Sequence, residues 1–101
     1  MIKHIVMWKV HKDGTEEQRY ASYLKFDAMT KHLKSIIPEI VETRAGYNTN
    51  PNDFHICVDA VFKNKEDLET YIVHPEHLKV REFLNSILYE KAVFDYEYDE
   101  D

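Results

Sequence analysis

Between residues 71 and 77 the chain reads Tyr71-Ile72-Val73-His74-Pro75-Glu76-His77, placing a phenol and two imidazoles within seven residues around a proline. Imidazole is the side chain best suited to moving protons near neutral pH, with an ordinary pKa of about 6.5. A tyrosine hydroxyl can hydrogen-bond a carbonyl and steady a developing enolate. Pro75 has no N–H and a φ near helical values, so it suits the first position of a helix. It also turns His74 away from the helical region, so one helical turn ends there and another begins. Counted from His77, the apolar residues Val80, Leu84, Ile87 and Leu88 recur at helical spacing, so His77 heads an inward-facing stripe. Such a histidine is either a core residue with satisfied ring nitrogens or an acid–base group. Other titratable groups converging on the same space favour the second role.

Those groups depend on the elements that carry them. Residues 2–10 alternate, with Ile2, His4, Val6, Trp8 and Val10 on one side of a strand and Lys3, Ile5, Met7 and Lys9 on the other. Lys12-Asp13-Gly14 is a turn, and Thr15 with Gln18 reads as a capping box opening a helix that Pro38 stops after about Ile36. Phe26, Met29, Leu33, Ile36 and Ile37 are its expected core stripe. Tyr20, Leu24 and Ala28 lie nearly opposite, where neighbouring segments or a second subunit would meet them. A short strand over residues 40–45 leads into a turn-rich stretch, 46–53. Residues 54–62 form a third strand. Phe54, Ile56, Val58, Ala60 and Phe62 share one apolar face, and His55, Cys57, Asp59 and Val61 the other. A face apolar along its whole length must be covered. With the helices expected over the His55/Asp59 side, the apolar side calls for a second sheet, hence a partner subunit. Asn64 is the expected cap of the helical turn that delivers Tyr71, the Pro75 helix runs to about Leu88, and residues 90–96 alternate as a last strand.

The order strand, helix, strand, strand, helix, strand is the α+β, ferredoxin-like βαββαβ arrangement with a four-stranded antiparallel sheet. Its first and third strands are central neighbours, so His4 and His55 are expected side by side on the face that also meets His77. Tyr71, Trp8, Cys57 and Asp59 then complete one pocket.

The composition bounds the alternatives. A chain of 101 residues, 44% hydrophobic, supports one domain with a real core but leaves apolar surface for self-association. The formal charge is −6, with five acids in the last seven residues and no basic cluster, which argues against nucleic acid and against an anionic membrane surface. We divide the chain into a domain over residues 1–96 and a solvated acidic tail over 97–101. The single cysteine cannot form an intrachain disulfide, and the apolar run Ile5-Val6-Met7-Trp8 is too short for a signal peptide; both suit the cytoplasm.

The opening Ile2-Lys3-His4-Ile5-Val6-Met7, the Ile37-Pro38 helix exit, Gly46-Tyr47-Asn48, residues 62–68 and the Tyr-x-x-His-Pro-x-His segment resemble the stress-responsive A/B barrel (Dabb) family over nearly the whole chain. That resemblance implies a homodimeric α+β barrel in which two four-stranded sheets face each other. The family's best-understood enzyme is a plant cyclase that closes a linear tetraketide thioester by an aldol step. Carried over residue by residue, the resemblance implies His77 as base, Tyr71 as its helper and His4 and His55 as accessory histidines. Asp59 departs from the family pattern, in which that position is usually apolar, so the substrate need not resemble the cyclase's. The leading expectation is a homodimer binding a small carbonyl or aromatic molecule, without a cofactor. Two alternatives are a non-enzymatic, stress-associated oligomer and a metal or haem site built from His4, His55, His77 and Asp59.

Overall fold

A computed structural model describes residues 1–50 and 53–99. Pro51 and Asn52 of the turn-rich stretch, and Glu100 and Asp101 of the acidic tail, lie outside the described residues. The elements are β1 (Ile2–Val10), α1 (Glu16–Ile36), β2 (Glu42–Tyr47), β3 (Ile56–Phe62), α2 (Lys65–Ile72), α3 (Pro75–Asn85) and β4 (Leu88–Glu97). The four strands form one antiparallel sheet in the order β2-β3-β1-β4, with the helices on one face. This is the ferredoxin-like βαββαβ layout, its second helix divided at Pro75.

The helix boundaries follow from local chemistry. At the start of α1 the Gln18 N–H donates to Thr15 Oγ1 at 3.2 Å, and the Thr15 N–H donates to Gln18 Oε1 at 2.9 Å. Each side chain thus satisfies a backbone donor that the first helical turn leaves unpaired. Asn64 caps α2 by accepting from the Asp67 N–H at 2.8 Å. His74 caps α3: its Nδ1 accepts the Glu76 N–H at 3.1 Å, with Pro75 in the first helical position. The first histidine of the Tyr-x-x-His-Pro-x-His segment therefore shapes the backbone.

Strand register decides which residues meet the helices. Ile2 pairs with Phe62, His4 with Ala60, Val6 with Val58 and Trp8 with Ile56, and all eight are buried beneath the helices. This reverses one expectation. The apolar row Ile56, Val58, Ala60 and Phe62 faces the helices, and Cys57 and Asp59 stand on the opposite face beside Met7 and Ile5, while His55 precedes the strand and is tied to the backbone of β1. The physical reason is that an uninterrupted apolar row gains most from complete burial, whereas a mixed row tolerates the uncovered side. On that uncovered face Phe94 of β4 sits opposite Ile5 and is 63% exposed, and Tyr96 sits opposite Lys3. Charged pairs ring the apolar centre: Lys3–Asp59 at 2.9 Å, Lys9–Glu90 at 2.7 Å and Arg44–Glu42 at 3.1 Å.

Smaller differences have similar causes. The buried stripe of α1 is Phe26, Thr30, Leu33 and the capping Ile37, while Ile36 is exposed, because helical spacing turns it away from that stripe. α3 stops at Asn85, so Leu88 opens β4 instead of extending the helical stripe. Strand β4 also runs past Tyr96 through Glu97, and Met1 and Tyr98 exchange backbone hydrogen bonds at 3.0 Å in both directions. On the outer side of α1, Tyr20 packs against Tyr23 and Tyr47 while Leu24 remains exposed. Among the described residues no helix is long and apolar enough to cross a membrane.

Candidate active site

The helix-covered face of the sheet encloses a cavity of about 210 Å³. β1 contributes His4, Val6 and Trp8 to its floor, and β3 contributes Val58. Phe26, Thr30 and Leu33 of α1 form one wall. The junction of α2 and α3 forms another with Tyr71, His77, Val80 and Leu84. β4 lies at the sheet edge, where Lys91, Val93 and Asp95 are exposed, and the cavity opens there beside Arg81 of α3.

His77 is partly buried, and its Nδ1 lies 3.0 Å from the Ile72 carbonyl oxygen. A carbonyl can only accept, so Nδ1 carries the proton and Nε2 keeps its lone pair. Burial disfavours the imidazolium, and the nearby Arg81, His4 and Lys91 add to that. Against the opposing pull of the Ile72 hydrogen bond, the pKa is lowered to about 4. At neutral pH His77 is an uncharged acceptor. Tyr71 packs against it, with ring centroids 4.1 Å apart and the ring planes tilted by 38°. Burial raises the Tyr71 pKa to about 12, so its hydroxyl stays protonated and remains a donor. Among the described residues that hydroxyl has no hydrogen-bond partner.

His4 is buried and edge-on to Tyr71, with centroids 6.2 Å apart. Its Nδ1 donates to Asp95 Oδ1 at 2.5 Å, which orients the ring and leaves Nε2 as its second nitrogen. Trp8 packs edge-to-face on Phe26 at 5.2 Å and closes the cavity floor.

Four of the seven candidate residues, His4, Trp8, Tyr71 and His77, therefore line one cavity. The other three do not reach it. The Nδ1 of His55 accepts the Val10 N–H at 3.0 Å, and its pKa is lowered chiefly by burial, then by Arg19, Lys9 and His11. Cys57 has its pKa raised, first by burial and then by Asp59, so it rests as a thiol. Asp59 is paired with Lys3. The four residues considered as metal ligands are thus divided between the two faces of the sheet. Among the described residues no group of three or more His, Cys, Asp or Glu side chains is placed to hold a metal ion.

The cavity also contains residues that the sequence reading did not select: Asp95, Arg81, Lys91 and Thr30. Thr30 lies four residues beyond Phe26 on the same helical face, a signal that was available. Asp95 meets His4 only through the pairing of strands 91 residues apart.

A four-stranded antiparallel sheet backed by helices, with a histidine–tyrosine pair between the layers, defines a ferredoxin-like α+β protein with a largely apolar pocket. Residues 2–98 match the model of the Stress responsive A/B Barrel Domain, and the chain belongs to that family. It is 25% identical over 99 residues to the olivetolic acid cyclase of Cannabis sativa, covering 94% of each chain. It is 22% identical over 87 residues to a stress-response A/B barrel domain-containing protein of Arabidopsis thaliana, covering 79% of this chain but only 39% of that longer protein. Among solved structures, a dimeric protein of unknown function with a ferredoxin-like fold from Bacteroides fragilis superposes with a TM-score of 0.88. The two are 30% identical, over 96% of this chain and 95% of the other.

Proposed function

We propose that this protein is a homodimer that binds a small carbonyl compound in the His/Tyr cavity and catalyses acid–base chemistry beside the carbonyl, of the enolisation or aldol type. The observation that carries the reading is the state of His77. It is a neutral imidazole whose Nδ1 is committed to the Ile72 carbonyl, packed against a tyrosine that keeps its proton in a largely apolar cavity. Nε2 takes a proton from the carbon next to the carbonyl, and the Tyr71 hydroxyl donates to the carbonyl oxygen as it gains charge. The burial that makes His77 a weak base in the empty site is offset when an enolate forms beside the imidazolium, since the two charges arise as a pair. His4, held by Asp95, is a second donor or acceptor across the pocket. The cyclase relative supports this class of reaction without naming the substrate here.

Dimerisation is supported by the uncovered sheet face and by the dimeric Bacteroides relative. Ile5, Met7 and Phe94 form its apolar centre, and packing against the same face of a second copy would cover it.

The test is exchange of the methyl protons of a ketone such as 4-acetylbenzoate into deuterated water, followed by NMR. We expect exchange faster than in buffer, strongly reduced by His77→Gln and by Tyr71→Phe in variants that remain folded dimers. Because His77 stays neutral down to about pH 4, the acid limb of the rate should fall near that value instead of near 6.5. Exchange that is equally fast in both variants would refute the assignment. A folded protein with no effect on exchange would leave the oligomer as the function.

A further inference from the structure

The chain carries a formal charge of −6, yet the charged groups lining its cavity are two cations and one carboxylate. Arg81 comes from α3 and Lys91 from β4, so they approach the opening from opposite sides. Neither has an ion-pair or hydrogen-bonding partner among the described residues. Lys3, Lys9, Lys31 and Lys79 are each paired with an acid, and Lys12, Lys63 and Lys65 are also without an ion-pair partner among the described residues, so what distinguishes Arg81 and Lys91 is that they line the cavity. Asp95, the one carboxylate at the opening, is already engaged by His4. In so acidic a chain, two unpaired cations held at the mouth of an apolar cavity are a recognition feature calling for a negative partner.

We propose that the ligand is an oxo acid: a small ketone or aldehyde carrying a carboxylate, which Arg81 and Lys91 hold at the mouth while the carbonyl end reaches His77 and Tyr71. The inference rests on the cavity being the ligand site, as proposed above, and adds the substrate class. Three observations shape it. Two cations against one carboxylate leave a single net positive charge, which matches a monoanion better than a phosphate dianion. The guanidinium of Arg81 can take both oxygens of a carboxylate in a planar fork. The cavity, at about 210 Å³, is smaller than the roughly 300–1,000 Å³ of sites for drug-sized ligands, so the body of the molecule is compact. A carboxylate at the mouth and a carbonyl in the interior also keep the charged end hydrated and bury the end that reacts.

Trp8 is the sole tryptophan of the chain and lies on the cavity floor, so its fluorescence reports occupancy directly. The probes are 4-acetylbenzoate and its uncharged counterpart 4′-methylacetophenone, titrated into the 101-residue chain at low salt. The expected result is about tenfold tighter binding of the carboxylate, since each exposed charge contact contributes only modestly. That preference should shrink as salt is added. In the Arg81→Gln/Lys91→Gln double variant the difference between the two ketones should disappear, with circular dichroism confirming the fold. Equal affinity for the two ketones in the wild type, failure of the carboxylate to bind, or a preference that survives in the double variant would overturn the proposal. The two readings fail separately. If the carboxylate is preferred but its methyl protons do not exchange, the base assignment falls and the anion site stands. If both ketones bind and exchange alike, the anion site falls and the base stands.

Discussion

Lowering the pH should destabilise the protein through His77 more than through an ordinary histidine, and the size of that effect follows from its surroundings. An imidazole with an ordinary pKa of 6.5 is held at about 4 in the folded state, mainly because burial penalises the charged form. The unfolded chain therefore binds the extra proton first. The stabilising contribution is complete above about pH 6.5 and is lost as the pH falls towards 4. Between pH 7 and pH 5 the linkage amounts to roughly 2 kcal/mol for a fully enclosed ring. Partial solvent access reduces this to about 1–2 kcal/mol. The assay is urea unfolding of wild type and His77→Gln at pH 7 and pH 5, with the protomer concentration held constant because assembly contributes to apparent stability. His55, also lowered, is present in both proteins, so its contribution cancels in the comparison. The wild type should lose about 1–2 kcal/mol more than the variant on going to pH 5. Equal losses, or a His77 resonance titrating near 6.5 by NMR, would show that the ring is solvated and that the neutral-base argument is unfounded.

Replacing Met7 or Phe94 by Asp should convert a dimer to monomers on sedimentation without unfolding them, because both lie on the uncovered face; a dimer that persists would place the interface elsewhere. Val58→Asp should instead unfold the protein, since Val58 is 3% exposed beneath the helices. His74→Ala removes the acceptor for the Glu76 N–H and should cost about 0.5–1 kcal/mol in a denaturation experiment; no change would mean that Pro75 alone starts the helix. Deleting residues 99–101 should leave the melting temperature nearly unchanged. Extending the deletion through Tyr98 should lower it, because the backbone bonds between Tyr98 and Met1 are lost.

Much of the architecture was legible in the chain because it depends on neighbours in sequence. The Thr15/Gln18 capping box, the Asn64 cap and the break at Pro75 are interactions over three or four residues, and each appears where the residue types demand. The alternation of β1 placed His4 with Val6 and Trp8, and helical spacing placed His77 above Val80 and Leu84. Alternation is silent, however, about which face of a strand is covered. Cys57 and Asp59 share a face as alternation demands, yet the sequence reading assigns that face to the helix side, and only packing shows that the all-apolar row takes that place. The His4–Asp95 pair and the cations at the mouth depend on β1 and β4 lying side by side in one particular register. No hairpin links those strands, and a shift by one residue would send Asp95 and Lys91 to the other face. The sequence by itself therefore determined the elements and the inward direction of His4 and His77. Long-range strand pairing and helix burial, which no local spacing encodes, decided which charged groups join them.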